Sequence, residues 1–158
     1  MTVADQEFLR GAIAKAREGV RRGQSPFGTS IVMNGEVLCC VHNQVLATCD
    51  STAHAEMVAI REACRRRGSI DLSGATLYST CEPCPMCFSA CHWAKISRVV
   101  YGARISDAQA AGFSELTIPA EHMRLEGGSP LLLEGDVLRE EALALFREWQ
   151  ARPDRQAY

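Results

Sequence analysis

The segment TLYSTCEPCPMC, residues 76–87, leads from an apolar run into a Pro-Cys-x-x-Cys motif. Its first three residues are β-prone and predict a short buried strand. Pro85 marks the start of a helix, because proline is tolerated in the first helical turn. Cys84 and Cys87 are three residues apart, so on a first turn their side chains face the same way. The segment therefore predicts a strand followed closely by a helix that presents two thiols on one side.

The residues before this segment predict a helix and a β-hairpin. Apolar side chains recur with helical spacing before Gly23, at Leu9, Ile13, Ala16 and Val20. Residues 28–34 and 36–43 are apolar and β-prone, and the Asn34-Gly35 dipeptide between them is a strong hairpin-turn signal. We therefore expect two antiparallel strands after the first helix.

The remaining residues predict alternating helices and strands. Asp50-Ser51-Thr52 offers an N-cap for a helix that runs to Gly68. Residues 98–103 predict a strand, residues 104–130 a short helix with a loop, and residues 131–133 a last strand. A final helix carries an apolar stripe of Leu138, Ala142, Leu145, Phe146 and Trp149. The order α-β-β-α-β-α-β-α-β-α predicts a three-layer α/β/α fold, in which helices cover both faces of a five-stranded mixed sheet.

Length and composition limit the class of protein. The 158 residues fit a single domain over residues 1–158, and 47% hydrophobic with 23% charged residues excludes a disordered chain or a coiled coil. No apolar run approaches the roughly 20 residues of a membrane span. The first residues are partly acidic and lack an apolar stretch, so we expect no signal peptide there. We therefore expect no membrane partner, a cytoplasmic location and mostly free thiols among the 8 cysteines. The net charge of −2 argues against a nucleic-acid partner.

His54-Ala55-Glu56 supplies the other candidates for chemistry. The imidazole of His54 and the thiolates of Cys84 and Cys87 make three zinc ligands, and three protein ligands with an open fourth position are typical of catalytic zinc. Water in that position becomes acidic near neutral pH. Glu56 lies two residues from a ligand, so it can take the water's proton and deliver it to a ring nitrogen and a leaving amine.

These residues match the His-x-Glu…Pro-Cys-x-x-Cys signature of zinc-dependent deaminases, and nearly the whole chain resembles the cytidine-deaminase-like superfamily. The likeness is greatest to the bacterial guanine deaminase group, through the run from Asp50 to Cys87 and further matches at Ser25-Pro26-Phe27-Gly28, Asn43, Trp93, Ala111-Gly112-Phe113 and Tyr158. The resemblance implies one zinc ion per chain, a nucleobase substrate, a place in purine metabolism and a homodimer whose C-terminal segments exchange between subunits.

The resemblance also implies a set of substrate-binding residues: Phe27, Asn43, His54, Trp93 and Tyr158. Asn43 would hydrogen-bond the base, Phe27 would pack in the base pocket, and His54 would stack on the base besides binding zinc. Trp93 and Tyr158 would help to close the site. Taken singly, each of these residues has an ordinary explanation in packing, turns or surface, so their assignment depends on the resemblance.

A second carboxylate is implied at Glu115, which is counted with Glu56 as catalytic. Glu115 stands where the guanine deaminase group usually has an aspartate, and it would bind the substrate or move protons. The pair Ser114-Glu115 replaces two acidic residues of that group, and the longer side chain of Glu115 would shift the edge of the pocket by about one methylene.

Hydrolytic deamination of guanine to xanthine is the leading hypothesis. A related ring, namely guanosine, cytosine or an aminotriazine, is the alternative within the same chemistry. A tRNA adenosine deaminase is a second alternative, because such enzymes share the zinc residues and the Gly102-Ala103-Arg104 stretch; the net charge and the terminal Tyr158 argue against it. A structural zinc module is the non-enzymatic alternative. It needs a fourth protein ligand, for which Cys81 and Cys91 are the candidates.

Overall fold

The computed structural model describes residues 2–158. Within these residues the helices and strands, in chain order, are α1 (Val3–Arg21), β1 (Gly28–Met33), β2 (Glu36–His42), α2 (Val45–Thr48), α3 (Ala55–Arg67), β3 (Thr76–Cys81), α4 (Pro85–Trp93), β4 (Arg98–Ala103), α5 (Ile105–Ala111), α6 (Ala120–Glu126), β5 (Leu132–Glu134) and α7 (Arg139–Gln150).

The strands form one mixed sheet in the order β2-β1-β3-β4-β5. β1 is antiparallel to both β2 and β3, whereas β3, β4 and β5 run parallel. The predicted five-stranded mixed sheet is therefore confirmed. Because β3 and β4 are parallel neighbours, their carboxyl ends lie at the same edge, where binding sites of open α/β sheets are usually found.

Helices cover both faces of the sheet, which confirms the predicted three layers. Leu77 and Tyr78 on β3 point to opposite faces, as successive strand residues must. The first core contains Leu77 with Ala59 of α3 and Phe88 of α4, and the second contains Tyr78 with Ile13 of α1 and Leu145 of α7. Among the described residues, no helix combines the length and the apolar character that crossing a membrane requires.

The hairpin between β1 and β2 forms where the Asn34-Gly35 dipeptide predicts it. Both turn residues have positive φ, 53° for Asn34 and 81° for Gly35, which is the backbone of the type I′ turns that suit two-residue hairpins. The two strands pair from Met33 and Glu36 at the turn to Gly28 and His42 at the open end. The hairpin therefore holds the residues that flank its open end side by side.

The predicted N-cap at Asp50-Ser51-Thr52 is wrong. α3 begins at Ala55 with His54 as its N-cap. The Asp50 carboxylate instead accepts the Thr52 backbone N–H at 2.8 Å and closes a local turn, an alternative open to Asp and Ser/Thr clusters. The short helix α2 precedes this turn. The sequence does not predict it, because it has no strong apolar periodicity.

Three other element ends differ from the prediction. β3 continues past Tyr78 to Cys81, because it pairs on both sides: Ser79 lies opposite Thr29 of β1 and Tyr101 of β4. β5 begins one residue later than predicted, at Leu132. Leu138 precedes α7 rather than lying within it, with a left-handed φ of 50° that a helical residue cannot have.

Candidate active site

Two helix starts bring the predicted metal ligands together. His54 is the N-cap of α3 and Cys84 is the N-cap of α4, yet neither side chain caps its own helix. His54 Nδ1 lies 3.7 Å from Cys84 Sγ and 3.6 Å from Cys87 Sγ. The donor atoms of the three residues all lie within 4.8 Å of one another. The side chains are thus turned toward one shared point.

The spacing and the donor types fit zinc. Zn–S bonds of about 2.3 Å and Zn–N bonds of about 2.0–2.1 Å, at tetrahedral angles, place a ligating nitrogen and sulfur roughly 3.5–3.6 Å apart. The observed N···S distances of 3.6 and 3.7 Å match that requirement. Within residues 2–158 this group has three protein donors, so a tetrahedral ion keeps one position for a ligand from solution.

Cys81 and Cys91, the candidates for a fourth protein ligand, are engaged elsewhere. Cys81 Sγ donates to the Arg104 backbone carbonyl at 3.5 Å, and burial raises the pKa of this thiol well above its usual range. Cys91 is fully buried in the core that includes Phe88, and burial raises its pKa too. The opposite holds for Cys84, whose pKa is lowered to about 4 by the hydrogen bond from Cys87 and then by His54.

Glu56 lies beside the donor group without belonging to it. Its side chain is buried, and the residue is 6% exposed. Ser79 Oγ donates to Glu56 Oε1 at 3.1 Å, and Cys87 Sγ approaches Oε2 at 3.6 Å. Burial raises the pKa of Glu56, which suits a carboxylate that must accept and release a proton near neutral pH.

These residues form part of the wall of a cavity of about 120 Å³. The cavity is lined by Phe27, Asn43, His54, Glu56, Cys81, Glu82, Cys84, Phe113, Ser114, Glu115 and Tyr158. The lining thus includes two of the three predicted metal ligands, both predicted catalytic carboxylates and four of the five predicted substrate-binding residues, and Cys87 completes the donor group beside it. What each residue does there stays a prediction.

Phe27 and Asn43 flank the open end of the β1–β2 hairpin. The Asn43 backbone N–H donates to the Phe27 carbonyl at 2.9 Å, which continues the pairing of the strands. Asn43 is 1% exposed, and its Oδ1 accepts the Val45 backbone N–H at 3.0 Å. Since a backbone N–H can only donate, this contact fixes the orientation of the amide and leaves Nδ2 facing the cavity.

Glu115 enters the cavity from the loop between α5 and α6. Burial raises its pKa to about 7. Phe113, two residues earlier, anchors the loop: its ring centroid lies 4.9 Å from that of Phe27 and 4.8 Å from that of Trp149. The sequence identifies no role for Phe113 or Ser114, and their approach to the cavity depends on tertiary packing.

The C-terminal residue closes the cavity of its own chain. Asn43 Nδ2 donates to Tyr158 Oη at 2.7 Å, and the Tyr158 carbonyl accepts the Ser114 backbone N–H at 2.9 Å. The Tyr158 ring centroid lies 5.5 Å from that of Phe113 and 6.3 Å from that of His54. Burial raises the pKa of Tyr158 to about 12. The chain terminus is therefore docked as a cover over the metal donors.

Trp93 is the predicted site residue that the fold of one chain does not bring to the cavity. It is the last residue of α4 and is 81% exposed. It lines a separate surface depression with residues such as Lys95 and Leu132. The predicted role of Trp93 in closing the site is therefore not explained by its position within one chain.

Comparisons of the sequence and of the structure with known proteins all find deaminases. Residues 2–103 match the family described as the cytidine and deoxycytidylate deaminase zinc-binding region. The guanine deaminase of Bacillus subtilis (strain 168) is 44% identical over 117 residues, which is 73% of this chain and 75% of that protein. The tRNA-specific adenosine deaminase of the same organism is 42% identical over 99 residues, 63% of this chain and 62% of that protein. A solved guanine deaminase from Nitrosomonas europaea superposes with a TM-score of 0.86 at 27% identity, covering 93% of this chain and 85% of that one.

Proposed function

The chain belongs to the cytidine and deoxycytidylate deaminase family and is a zinc-dependent aminohydrolase, and we propose that it converts free guanine to xanthine and ammonia. The observation that carries the choice of a free base is the docking of Tyr158 over the cavity. With its hydroxyl on Asn43 and its carbonyl on Ser114, Tyr158 occupies space beside the cavity that a polynucleotide on either side of the base would need.

The size of the cavity supports the same choice. Its volume of about 120 Å³ is small beside the roughly 300–1,000 Å³ of pockets for drug-sized ligands. A free base needs less room than a nucleoside, whose ribose would have to pass the Tyr158 ring. The small, covered cavity therefore favours guanine over guanosine.

The polar groups of the cavity complement guanine on two edges. Asn43 Nδ2 faces the cavity as a donor, because its oxygen accepts the Val45 N–H. One of its two hydrogens bonds to Tyr158 Oη, and the other would be donated to the carbonyl or a ring nitrogen of the base. Glu115, as a carboxylate, would accept from a ring N–H or the exocyclic amine. A base that lacks one of these groups would leave a buried partner unpaired, which is how such sites obtain large discrimination.

Zinc held by His54, Cys84 and Cys87 would act as a Lewis acid that makes water a strong nucleophile near neutral pH. Glu56 is the group of this chain that moves protons. Its carboxylate takes a proton from the attacking water and delivers it to a ring nitrogen and then to the departing amine. Water adds at the carbon that bears the amino group, the C–N bond breaks, and guanine and water become xanthine and ammonia.

A tRNA adenosine deaminase is the alternative, because relatives of that name share about the same identity with this chain. An ammonia-release screen separates the two: zinc-loaded protein is given guanine, guanosine, adenine, cytosine, an aminotriazine and a tRNA anticodon stem-loop. We expect guanine to react fastest. Faster release from guanosine, cytosine or the stem-loop would overturn the substrate assignment and leave the family membership unchanged.

Two substitutions sharpen that screen. Glu115→Gln should cut guanine turnover severely, whereas Glu121→Gln, on an exposed carboxylate paired with Arg124, should not. Deletion of Tyr158 should weaken the preference for guanine while zinc stays bound. Unchanged guanine kinetics in Glu115→Gln would remove this residue from the site.

We also infer a homodimer. Trp93 and Leu132, exposed by 81% and 63%, line one surface depression, and contiguous exposed apolar patches are typical of association surfaces. Exchange of the C-terminal segments between the two subunits, which the resemblance implies, stays a prediction. Light scattering on the purified protein tests the state: a dimer is expected, and a stable monomer at micromolar concentration would exclude it. Cysteines that are all free support a reducing, cytoplasmic location.

A further inference from the structure

We propose that Glu82 is a positioning residue that fixes the distance between the metal-binding segment and the α5–α6 loop that carries Glu115. Glu82 is 8% exposed and lines the cavity. It follows β3 and lies two residues before Cys84. This role rests on the proposed function only in that the loop is taken to bind the base.

Both oxygens of the Glu82 carboxylate are used to hold backbone. Oε1 accepts the Ala120 N–H at 2.8 Å, and Oε2 accepts the Ile105 N–H at 3.1 Å. Ile105 is the first residue of α5 and Ala120 is the first residue of α6. One buried carboxylate therefore accepts hydrogen bonds from the backbone at both ends of the segment from 105 to 120.

The neighbouring N-cap residues cannot do this work themselves. Arg104 precedes α5 and Pro119 precedes α6. Neither side chain carries a hydrogen-bond acceptor, and the first N–H groups of a helix need one from outside the helix. Glu82 supplies it for both, and it is held in place in turn, since its own N–H donates to the Ala103 carbonyl at 2.8 Å.

The segment from 105 to 120, held at both ends by Glu82, carries part of the cavity wall. Residues 112–119 have no regular secondary structure, yet Phe113, Ser114 and Glu115 all line the cavity. Ser114 also holds the carbonyl of Tyr158. A change at Glu82 would therefore shift the substrate-binding wall and its cover together, while the metal donors on α3 and α4 stay where they are.

A direct catalytic role for Glu82 fits the contacts less well. Its two oxygens already accept buried N–H donors, and a carboxylate in that position is held rather than free to exchange protons with a substrate. Glu56 and Glu115 also line the cavity, and Glu56 lies beside the metal donor Cys87. Glu82 thus acts through the loop.

The test compares zinc-loaded wild type with Glu82→Gln. The amide keeps one acceptor oxygen, but its NH₂ group cannot accept from a backbone N–H. One of the two hydrogen bonds, to Ile105 or to Ala120, is therefore lost. We expect amide hydrogen exchange in residues 112–119 to accelerate by about 10- to 100-fold, the scale of a hydrogen bond to a charged group. KM for the best substrate of the ammonia screen should rise at least about 10-fold, with a smaller change in kcat and full zinc content.

Asp107→Asn is the matched control. Asp107 Oδ2 accepts the Arg104 N–H at 2.7 Å and pairs with Arg139, so this variant weakens the same end of α5 without touching Ala120. It should lower thermal stability while leaving KM and exchange in 112–119 unchanged. If Glu82→Gln does not fold, Glu82→Asp, one methylene shorter with its charge kept, should show the same rise in KM.

Three results would overturn the role of Glu82. One is wild-type exchange and KM in a folded Glu82→Gln or Glu82→Asp protein, and another is loss of zinc, which would place the residue in the metal site. The third is an equal rise in KM for Asp107→Asn, which would show a general effect of stability. The exchange measurement uses no substrate, so failure of the guanine assignment does not affect it.

Discussion

Ser79 Oγ donates a 3.1 Å hydrogen bond to Glu56 Oε1 inside the protein, where the two residues are only 1% and 6% exposed. Ser79 lies on β3, which is paired with a strand on each side, so the donor is fixed by the sheet. The bond sets one carboxylate oxygen and leaves the other near Cys87. The Glu56 carboxylate is therefore oriented by a residue of the central sheet.

Ser79→Ala should lower kcat by roughly 10- to 100-fold, because a hydrogen bond to a charged group contributes about 1.5–3 kcal/mol. KM and zinc content should stay near the wild-type values, as measured by steady-state kinetics and elemental analysis. Thr29→Val is the control: Thr29 lies opposite Ser79 in the sheet, and its hydroxyl has no partner among the described residues. Equal losses in both variants would mean a packing effect.

Glu56→Gln should retain zinc and fold but lose about 10²–10⁴ in turnover, the usual contribution of general acid–base catalysis. The amide keeps the shape of the side chain and cannot take up a proton from water. Glu62→Gln, on the same helix, is the comparison, since Glu62 pairs with Arg66 outside the cavity. Near-normal turnover of a zinc-loaded Glu56→Gln protein would assign the proton transfer to another group.

Cys87→Ala and Cys91→Ala test the metal donors with the same change one helical turn apart. Cys87 belongs to the donor group and Cys91 to the core. Elemental analysis should find about one zinc per chain in the wild type and in Cys91→Ala, and a large loss of zinc in Cys87→Ala. Full zinc in Cys87→Ala would contradict the ligand assignment, and zinc loss in Cys91→Ala alone would reverse it.

Asp5→Asn should lower the free energy of unfolding at pH 7 by about 2–4 kcal/mol. The Asp5 carboxylate is buried and accepts from Arg98 at 2.7 Å, from Tyr78 at 2.8 Å and from the Thr2 N–H at 2.6 Å. The hydrogen bond with Arg98 holds the pKa of Asp5 well below its usual range. The aspartate thus stabilises the fold only while it is ionised.

The pH dependence of that difference has a definite sign. Because the folded pKa of Asp5 is below the unfolded value of about 3.9, its contribution is complete above about pH 5 and declines as the pH falls below 4. Urea unfolding at pH 7 and at pH 3 should show a smaller gap between wild type and Asp5→Asn at pH 3. Asp154→Asn, at an exposed pair with Arg152, should show little effect at either pH, and a gap for Asp5→Asn that ignores pH would contradict the charge-based account.

The fold and the metal donors could be predicted from the sequence because their signals are local. A Cys-x-x-Cys motif on a first helical turn, an Asn-Gly hairpin and apolar spacing along α1 each depend on a few neighbouring residues. The prediction that His54 lies close to Cys84 needed more than local signals, because it depended on knowing which pairs of motifs bind zinc together. The signature provided that knowledge, and the geometry agrees with it.

The rest of the cavity depends on contacts between distant segments, which the sequence does not signal. Glu82 reaches Ala120 across 38 positions, and Ser79 reaches Glu56 across 23. Neither Glu82 nor Ser79 belongs to a sequence pattern that indicates these contacts. The N-cap error at Asp50 has a different cause, because a side chain that suits a cap suits a tight turn equally well. Trp93 looks like a site residue in the sequence and lies on the outer surface of one chain.

The parallel run of β3 and β4 separates the tasks of the site along the chain. The family match ends at residue 103, the last residue of β4, so the three metal donors and Glu56 precede that point. Glu115 and Tyr158, which also line the cavity, follow it. A hybrid of two family members joined after Ala103 would therefore take its metal donors and Glu56 from one parent and the cavity wall at Glu115 and Tyr158 from the other, with Phe27 and Asn43 kept from the first.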